Sequence, residues 1–229
     1  MRLEGKVALI TGAGSGQGRE AAVLFATEGA QVVITDVNEE GLHQTLEQVK
    51  AAGGQAVATR MDVSDEGQVQ EAVALTVRTY GKLTVLYNNA GVYLRGQDGP
   101  VTRMEDGIWD LVLNVNLKGM YLCCRHAIPE MIKVEGGAIV NTASAAGLIG
   151  SNIHAYSASK GGMIALSRSL ATTYAPQNIR SNVICPGFIE TPMVSEVVSS
   201  ERLLHAYLEN TPLHRSGKPI DIAYMALYL

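Results

Sequence analysis

A glycine-rich turn between two short strand-like segments constrains the fold of this chain more than any other feature. Residues 6–11 read as a buried strand that glycine ends, and residues 11–18 contain four glycines in the order Thr-Gly-Ala-Gly-Ser-Gly-Gln-Gly. Residues 19–29 place apolar side chains at helical spacing, and residues 31–36 form a second apolar segment. A strand, a glycine turn, a helix and a second strand make a βαβ unit, whose connection is right-handed.

The glycine turn in this setting predicts a dinucleotide-binding site. Glycines let the backbone approach a diphosphate, and the following helix N-terminus favours its negative charge. Asp36 ends the second strand, where a carboxylate accepts hydrogen bonds from a ribose 2′-hydroxyl and repels a 2′-phosphate. Neither Ser15 nor Val37 supplies a positive charge, so we expect NAD rather than NADP. The alternative role for Asp36 is a cap for the helix that begins near Asn38.

Strand and helix patterns alternate along the rest of the chain. Further strands are predicted at 55–59, 82–87, 138–141 and 178–185, and further helices at 39–53, 64–80, 104–133, 154–174 and from 219 onward. Residues 190–217 show no regular pattern. The expected fold is α/β: a Rossmann-like, doubly wound parallel sheet in three αβα layers, as a single domain over residues 1–229.

Polar and glycine residues occur where the predicted strands end. Gly12, Asp36, Asp62 and Asn89 each lie at or just after the carboxyl end of a predicted strand. These ends share one edge of a parallel sheet, where ligands bind in such folds. Their convergence predicts a binding site there.

Tyr156 and Lys160 are the candidate acid–base pair. Four residues apart on a helix, they share one face, and an ammonium beside a phenol favours the phenolate. Ser144 adds a hydroxyl nearby, although such pairs also occur on ordinary amphipathic surfaces. Asn116 lies inside a predicted helix, where it either distorts the helix or simply packs.

These motifs together resemble the short-chain dehydrogenase/reductase (SDR) family over nearly the whole chain. The resemblance is carried by Thr11-Gly12-x-x-x-Gly16-x-Gly18, Asp62-Val63, Asn88-Asn89-Ala90-Gly91, Asn116, Ser144, Tyr156-x-x-x-Lys160, Pro186-Gly187 and Thr191.

The resemblance implies an NAD-dependent oxidoreductase that interconverts a secondary alcohol and a ketone. Tyr156 would be the general acid/base, and Lys160 would lower the pKa of Tyr156 and hold the nicotinamide ribose. Ser144 would bind the substrate oxygen, and Asn116 would hold a water that relays protons. The implied cofactor-binding residues, besides Tyr156 and Lys160, are Gly12, Ser15, Gly16, Gln17, Gly18, Asp36, Asp62, Val63, Asn89, Ala90, Gly91, Pro186, Gly187, Ile189 and Thr191.

The sequence departs from the family pattern in three places. The interval from Ser144 to Tyr156 is one position shorter than usual, which bears on pocket shape. Gln17 replaces the usual aliphatic residue in the turn, and either contacts a cofactor ribose or phosphate or reaches solvent. The family continues into a seventh strand and a Gly-Gly tail, whereas this sequence stops at Leu229 in the last predicted helix.

Composition limits the remaining classes of function. A net charge of −4 and a pI near 5.7 do not indicate a basic surface that would bind nucleic acid or an anionic membrane. The three cysteines, Cys123, Cys124 and Cys185, form no C-x-x-C pair, so we expect neither disulfides nor a metal site. With no signal or membrane-spanning segment in the sequence, we expect a cytoplasmic protein. From the resemblance to the family we also expect the protein to form a homotetramer or a homodimer.

Two other functions remain open at this point. One is a 3-oxoacyl-acyl-carrier-protein reductase, although such enzymes usually prefer NADPH, which Asp36 disfavours. The other is a non-catalytic NAD-binding protein, because a fold does not fix a function. Six residues are candidate pocket walls and suggest a mostly apolar small-molecule substrate, although each also fits ordinary packing: Tyr93, Leu94, Leu148, His154, Phe188 and Met193.

Overall fold

The central element is a parallel β-sheet. The computed structural model describes residues 1–209 and 211–229. Within them the strands are β1 (Val7–Thr11), β2 (Gln31–Asp36), β3 (Gln55–Arg60), β4 (Val85–Asn88), β5 (Gly137–Thr142) and β6 (Ile179–Ile184). The strand order is β3-β2-β1-β4-β5-β6, and every pair is parallel. The predicted Rossmann-like α/β fold is therefore confirmed.

Helices cover both faces of this sheet. They are α1 (Gly16–Thr27), α2 (Glu39–Ala51), α3 (Glu66–Tyr80), α4 (Asp106–Leu113), α5 (Gly119–Lys133), α6 (His154–Tyr174), α7 (Ser195–Val198), α8 (Glu201–Glu209) and α9 (Pro219–Tyr228). Alternate residues along the strands belong to two hydrophobic cores. Ile10 lies in one core with Phe25 and Ile222, whereas Leu9 lies in the other with Cys123 and Met163. This period of two, with both faces covered, explains why the central strands are apolar throughout.

Side-chain caps fix where α2 and α3 begin. Asn38 accepts a hydrogen bond from the Gly41 N–H at 3.0 Å, and Asp65 accepts one from the Gln68 N–H at 3.1 Å. Asp36 does not cap α2 itself, because its carboxylate accepts the Asn38 N–H at 3.0 Å instead. The alternative role of Asp36 as a helix cap is thereby removed.

Two predicted segments differ from the structure. The helix predicted at 104–133 is divided into α4, a π-helical turn over Asn114–Lys118, and α5. The segment predicted as irregular, 190–217, contains α7 and α8, although residue 210 lies outside the described residues. α7 has four residues, too few for a helical period to appear in the sequence. No helix in the described part of the chain is long and apolar enough to cross a bilayer.

The turn that carries Ser144 packs directly on α6. After β5, residues Ala145–Gly147 form a short 3₁₀ helix. A Cβ atom added to Gly147 would lie 2.7 Å from the Lys160 carbonyl carbon and 2.8 Å from the Gly161 nitrogen. Only glycine permits this approach, so the backbone contact fixes the distance between the end of β5 and α6.

We predict that Gly147→Ala destabilises the protein by roughly 2 kcal/mol, because backbone atoms must move to admit the methyl group. Gly161→Ala is the matched control: there an added Cβ meets its nearest atom at 3.6 Å, an ordinary contact, and alanine favours a helix interior. Chemical denaturation of both variants measures the difference. Equal stability of the two variants would show that the Gly147 contact is not tight.

Candidate active site

A cleft of about 290 Å³ opens at the carboxyl ends of the strands. It brings together most of the predicted site residues. They are Gly12, Ser15, Gly16, Gln17, Asp36, Asn89, Ala90, Gly91, Ser144, Tyr156, Lys160, Pro186, Gly187, Ile189 and Thr191. Phe188 and Met193, two of the predicted pocket walls, also line it. The predicted residues that do not line it are Gly18, Asp62, Val63 and Asn116.

The glycine turn forms one end of the cleft. Gly12 and Gly16 have φ values of 65° and 53°, which side chains other than glycine rarely adopt. A Cβ on Gly18 would lie 2.2 Å from the Gly12 carbonyl oxygen, so Gly18 lets α1 pack against the turn. The Asn89 side chain donates to that same carbonyl at 3.0 Å. The turn is thus held by contacts from beneath, and its open side faces the cleft.

Asp36 carries negative charge at this end of the cleft. Its carboxylate accepts hydrogen bonds from the Gly14 N–H at 2.9 Å and the Asn38 N–H at 3.0 Å. Among the described residues that line the cleft, the charged side chains are Asp36 and Lys160. The nearby Arg19 guanidinium donates to the Gly14 carbonyl, to Gln44 and to Thr45. No described cation therefore lines the cleft beside Asp36.

Gln17 supplies an unused acceptor in the cleft. Its Oε1 atom is buried and has no hydrogen-bond partner within the described part of the chain. Buried polar atoms are nearly always paired, so an unpaired acceptor on a residue that lines the cleft fits a hydrogen bond from a bound ligand or from water. The open glycine turn and this acceptor both fit a dinucleotide with ribose hydroxyls.

Lys160 lies at the other end of the cleft and is 3% exposed. Its ammonium donates to the Thr142 carbonyl at 2.7 Å and contacts the Met163 sulfur at 3.6 Å. It lies 5.5 Å from the centre of the Tyr156 ring. Burial lowers the pKa of Lys160 to about 8, and the neighbouring Cys185 thiol opposes that shift.

Tyr156 faces the cleft beside Ser144. Burial raises the pKa of the Tyr156 phenol, the hydrogen bond with Ser144 lowers it, and Tyr93 raises it further. Desolvation is the largest of these effects, so the pKa of the phenol is raised overall, and the lowering by Lys160 that the resemblance implies stays a prediction. Ser144 also accepts the Ala146 N–H at 3.1 Å, so its hydroxyl is held in place. The short interval between Ser144 and Tyr156 leaves them in contact.

Asn116 lies behind Lys160 in the π-helical turn. Its Oδ1 accepts the Val92 N–H at 2.7 Å, and its Nδ2 donates to the Val92 carbonyl at 3.0 Å and the Ser159 hydroxyl at 3.1 Å. Both readings of Asn116 therefore hold: the helix is distorted at this residue, and the side chain packs. A Cβ atom on Gly91 would lie 3.2 Å from Asn116 Oδ1 and 3.3 Å from Lys160 Nζ, so the space between these atoms depends on glycine at this position.

Asp62 and Val63 serve local structure. The Asp62 carboxylate accepts the Ser64 N–H at 2.9 Å and the Ser64 hydroxyl at 2.7 Å. Val63 is buried in the core, where its Cγ2 would lie 2.7 Å from a Cβ on Gly119. Both bonds use the Oδ1 atom of Asp62, and a contact of this pair with a ligand stays a prediction.

Sequence reasoning missed two neighbours of Tyr156. Tyr93, expected only as a pocket wall, packs on Tyr156 with ring centres 5.4 Å apart. Asp98 accepts hydrogen bonds from the N–H groups of Ala155 and Tyr156. A buried aspartate between Gly and Gln in a loop gives no sequence signal that indicates which helix it contacts. His154, also expected as a candidate wall, is the first residue of α6 and accepts the Val101 N–H.

The lowered pKa of Lys160 gives a pH-dependent stability. Its folded pKa of about 8 lies below the ordinary 10.5, so between these values the unfolded chain binds more protons. The free energy of unfolding therefore rises with pH across this window, by roughly 3 kcal/mol from this residue. We predict that Lys160→Met abolishes that rise. Denaturant titrations of both proteins at several pH values from 7 to 10.5 measure it, and parallel pH curves would contradict the prediction.

Comparisons with known proteins agree with this geometry. A family model described as Enoyl-(Acyl carrier protein) reductase matches residues 12–229. The chain is 41% identical over 230 residues to the 3-oxoacyl-(acyl-carrier-protein) reductase FabG of Thermotoga maritima, covering 100% of this chain and 92% of the relative. It is 37% identical to the cyclohexanol dehydrogenase of an Acinetobacter species, covering 100% and 88%.

A solved structure gives the same result. The 7α-hydroxysteroid dehydrogenase complexed with NADH and 7-oxo glycochenodeoxycholic acid superposes with a TM-score of 0.93 at 34% identity, covering 100% of this chain and 88% of that one. Family model, relatives and structure agree over essentially the whole chain. The chain belongs to the short-chain dehydrogenase/reductase family, whose members are oxidoreductases that bind a nicotinamide cofactor.

Proposed function

We propose that this protein is an NAD-dependent oxidoreductase that interconverts a secondary alcohol and a ketone, with Tyr156 as general acid/base. The observation that carries the proposal is the shared cleft: Ser144, Tyr156 and Lys160 line one end, and the glycine turn with Asp36 lines the other. Two relatives support this reaction, since cyclohexanol is a secondary alcohol and the 7-oxo steroid is a ketone.

The side chains at the Tyr156 end of the cleft indicate which groups donate and accept the proton. A bound nicotinamide would accept or supply the hydride. Ser144 holds the substrate oxygen next to Tyr156, whose phenol donates a proton in ketone reduction and whose phenolate accepts one in alcohol oxidation. Burial raises the pKa of Tyr156, which stabilises the protonated phenol that ketone reduction requires.

Lys160 and Asn116 support the proton transfer by Tyr156. The Lys160 ammonium lies 5.5 Å from the Tyr156 ring and stabilises negative charge that develops there. Asn116 reaches α6 through Ser159, whose hydroxyl donates to the Tyr156 carbonyl at 2.7 Å. We infer that Asn116 acts by holding the π-helical turn and α6 together, and that a proton relay through it would pass the opening at Gly91.

The test of the proposal is turnover and its loss in Tyr156→Phe. With NAD and a panel of cyclic and linear secondary alcohols, or NADH and their ketones, nicotinamide absorbance measures the rate. Loss of the acid/base lowers kcat by about 10²–10⁴-fold, while NADH binding, followed by fluorescence, is retained. NADH binding without turnover of any alcohol or ketone would favour a non-catalytic protein, and full activity in Tyr156→Phe would exclude the assigned mechanism.

A 3-oxoacyl-acyl-carrier-protein reductase is the second candidate, favoured by the identity of 41% to FabG. It predicts that a 3-oxoacyl thioester is reduced faster than simple cyclic ketones, and with NADPH rather than NADH. Parallel assays with both cofactors and both substrate types separate the two candidates.

Asp36 generates the cofactor preference, so Asp36→Asn should reduce it. We predict that the ratio of kcat/KM for NADH to that for NADPH falls by about tenfold, since the repelling charge is removed and the shape is kept. Glu39→Gln is the matched control, because it removes an exposed carboxylate close by in sequence that pairs with Arg60. If the two variants change the ratio equally, Asp36 does not set the preference.

A further inference from the structure

The helix that carries Tyr156 begins without a cap of its own. The residue at the N-cap position of α6 is Ile153, which has no side-chain hydrogen bond to the helix. The first N–H groups of a helix have no intrahelical partners and need acceptors from elsewhere. An isoleucine cannot supply one, so α6 depends on a group from another part of the chain.

Asp98 supplies the missing cap from a distant loop. Its Oδ1 accepts the Ala155 N–H at 3.1 Å and its Oδ2 accepts the Tyr156 N–H at 2.8 Å. These are the second and third N–H groups of α6, the ones that a local cap would bind. Asp98 is 7% exposed, and a buried carboxylate is favoured at the positive end of a helix dipole.

The loop around Asp98, residues 94–101, is held on both sides of this contact. The Leu94 carbonyl accepts the Asp98 N–H at 2.8 Å, which closes a turn within the loop. The Val101 N–H donates to His154 Nδ1 at 3.1 Å, so the loop and α6 bond to each other in both directions. The backbone of Asp98 is therefore held by its own loop, and its carboxylate by α6.

We propose that Asp98 is a positioning residue that sets the place of Tyr156 through its backbone. This inference rests on the proposed acid/base role of Tyr156. One carboxylate oxygen bonds the N–H of Tyr156 itself, so any shift of the carboxylate moves the residue that carries the phenol. Tyr93, which lies just before the same loop, packs on the Tyr156 ring at 5.4 Å and fixes the other end of the side chain.

The substitution Asp98→Ala tests the proposal. Misplacement of a catalytic group by about 1 Å costs about 10²-fold in rate, so we expect kcat to fall by about 10- to 100-fold while the NADH dissociation constant changes less than about twofold. Asp65→Ala is the matched control, because Asp65 caps α3 through a similar hydrogen bond outside the cleft. We expect Asp65→Ala to lower stability and leave kcat unchanged.

A second variant separates positioning from other effects of the charge. In Asp98→Ala/Ile153→Asp a carboxylate at the N-cap position caps α6 locally, so kcat should recover by at least about fivefold over Asp98→Ala. Recovery of kcat would show that the cap on α6, rather than the negative charge buried in the loop, controls the position of Tyr156. Absence of recovery in a folded double variant would overturn the proposal.

Amide hydrogen exchange gives a readout that needs no turnover. We expect the peptide that contains Ala155 and Tyr156 to exchange faster in Asp98→Ala, and peptides from α3 to be unchanged. If the parent protein turns over no alcohol or ketone but this loss of protection occurs, the proposed function fails and the Asp98 cap stands. A kcat within twofold of the parent, or unchanged exchange at residues 155 and 156, would overturn the inference.

Discussion

The hydrogen bond from the buried Lys160 ammonium to the Thr142 carbonyl connects the sheet to the helix that carries Tyr156. An ammonium that is 3% exposed loses most of its hydration, and its pKa falls to about 8 as a result. The hydrogen bond to the backbone carbonyl at the end of β5 replaces part of the lost hydration. Because a carbonyl at the end of a strand cannot move freely, the contact fixes α6 against the same strand end that leads to Ser144.

The two ends of the cleft are built in different ways. At the glycine turn, backbone geometry makes the site: the Asn89 side chain donates to the Gly12 carbonyl from beneath, and Asp36 accepts the Gly14 N–H from the side. At the Tyr156 end, side chains make the site, and their pKa values respond to burial. The first end is suited to a ligand of fixed shape. The second is suited to a proton whose position changes.

Sequence patterns predicted the parts of the structure that depend on local periodicity. The strands, the turn and α6 follow from apolar spacing and glycine placement, and the strand ends bring the predicted residues together because parallel strands share one edge. The partners of the key side chains were not predictable in the same way. Asp98 meets Tyr156 across 58 positions, and the acceptor of Lys160 is a backbone carbonyl that every residue carries. Burial of Tyr156, which raises the pKa of its phenol, is likewise a product of packing.

The shortened interval between Ser144 and Tyr156 is held in place by both local and distant contacts. Its two ends are fixed by groups that do not depend on its length: Gly147 lies against the α6 backbone, and Asp98 holds the first turn of α6. Within the interval, Leu148 and Ile149 are 61% and 67% exposed and carry little of the packing. A change of one residue therefore falls on these exposed apolar side chains and leaves Ser144 in contact with Tyr156. Loop length in this region then alters exposed side chains, while contacts from β5 and from the loop at 94–101 hold the positions of Ser144 and Tyr156.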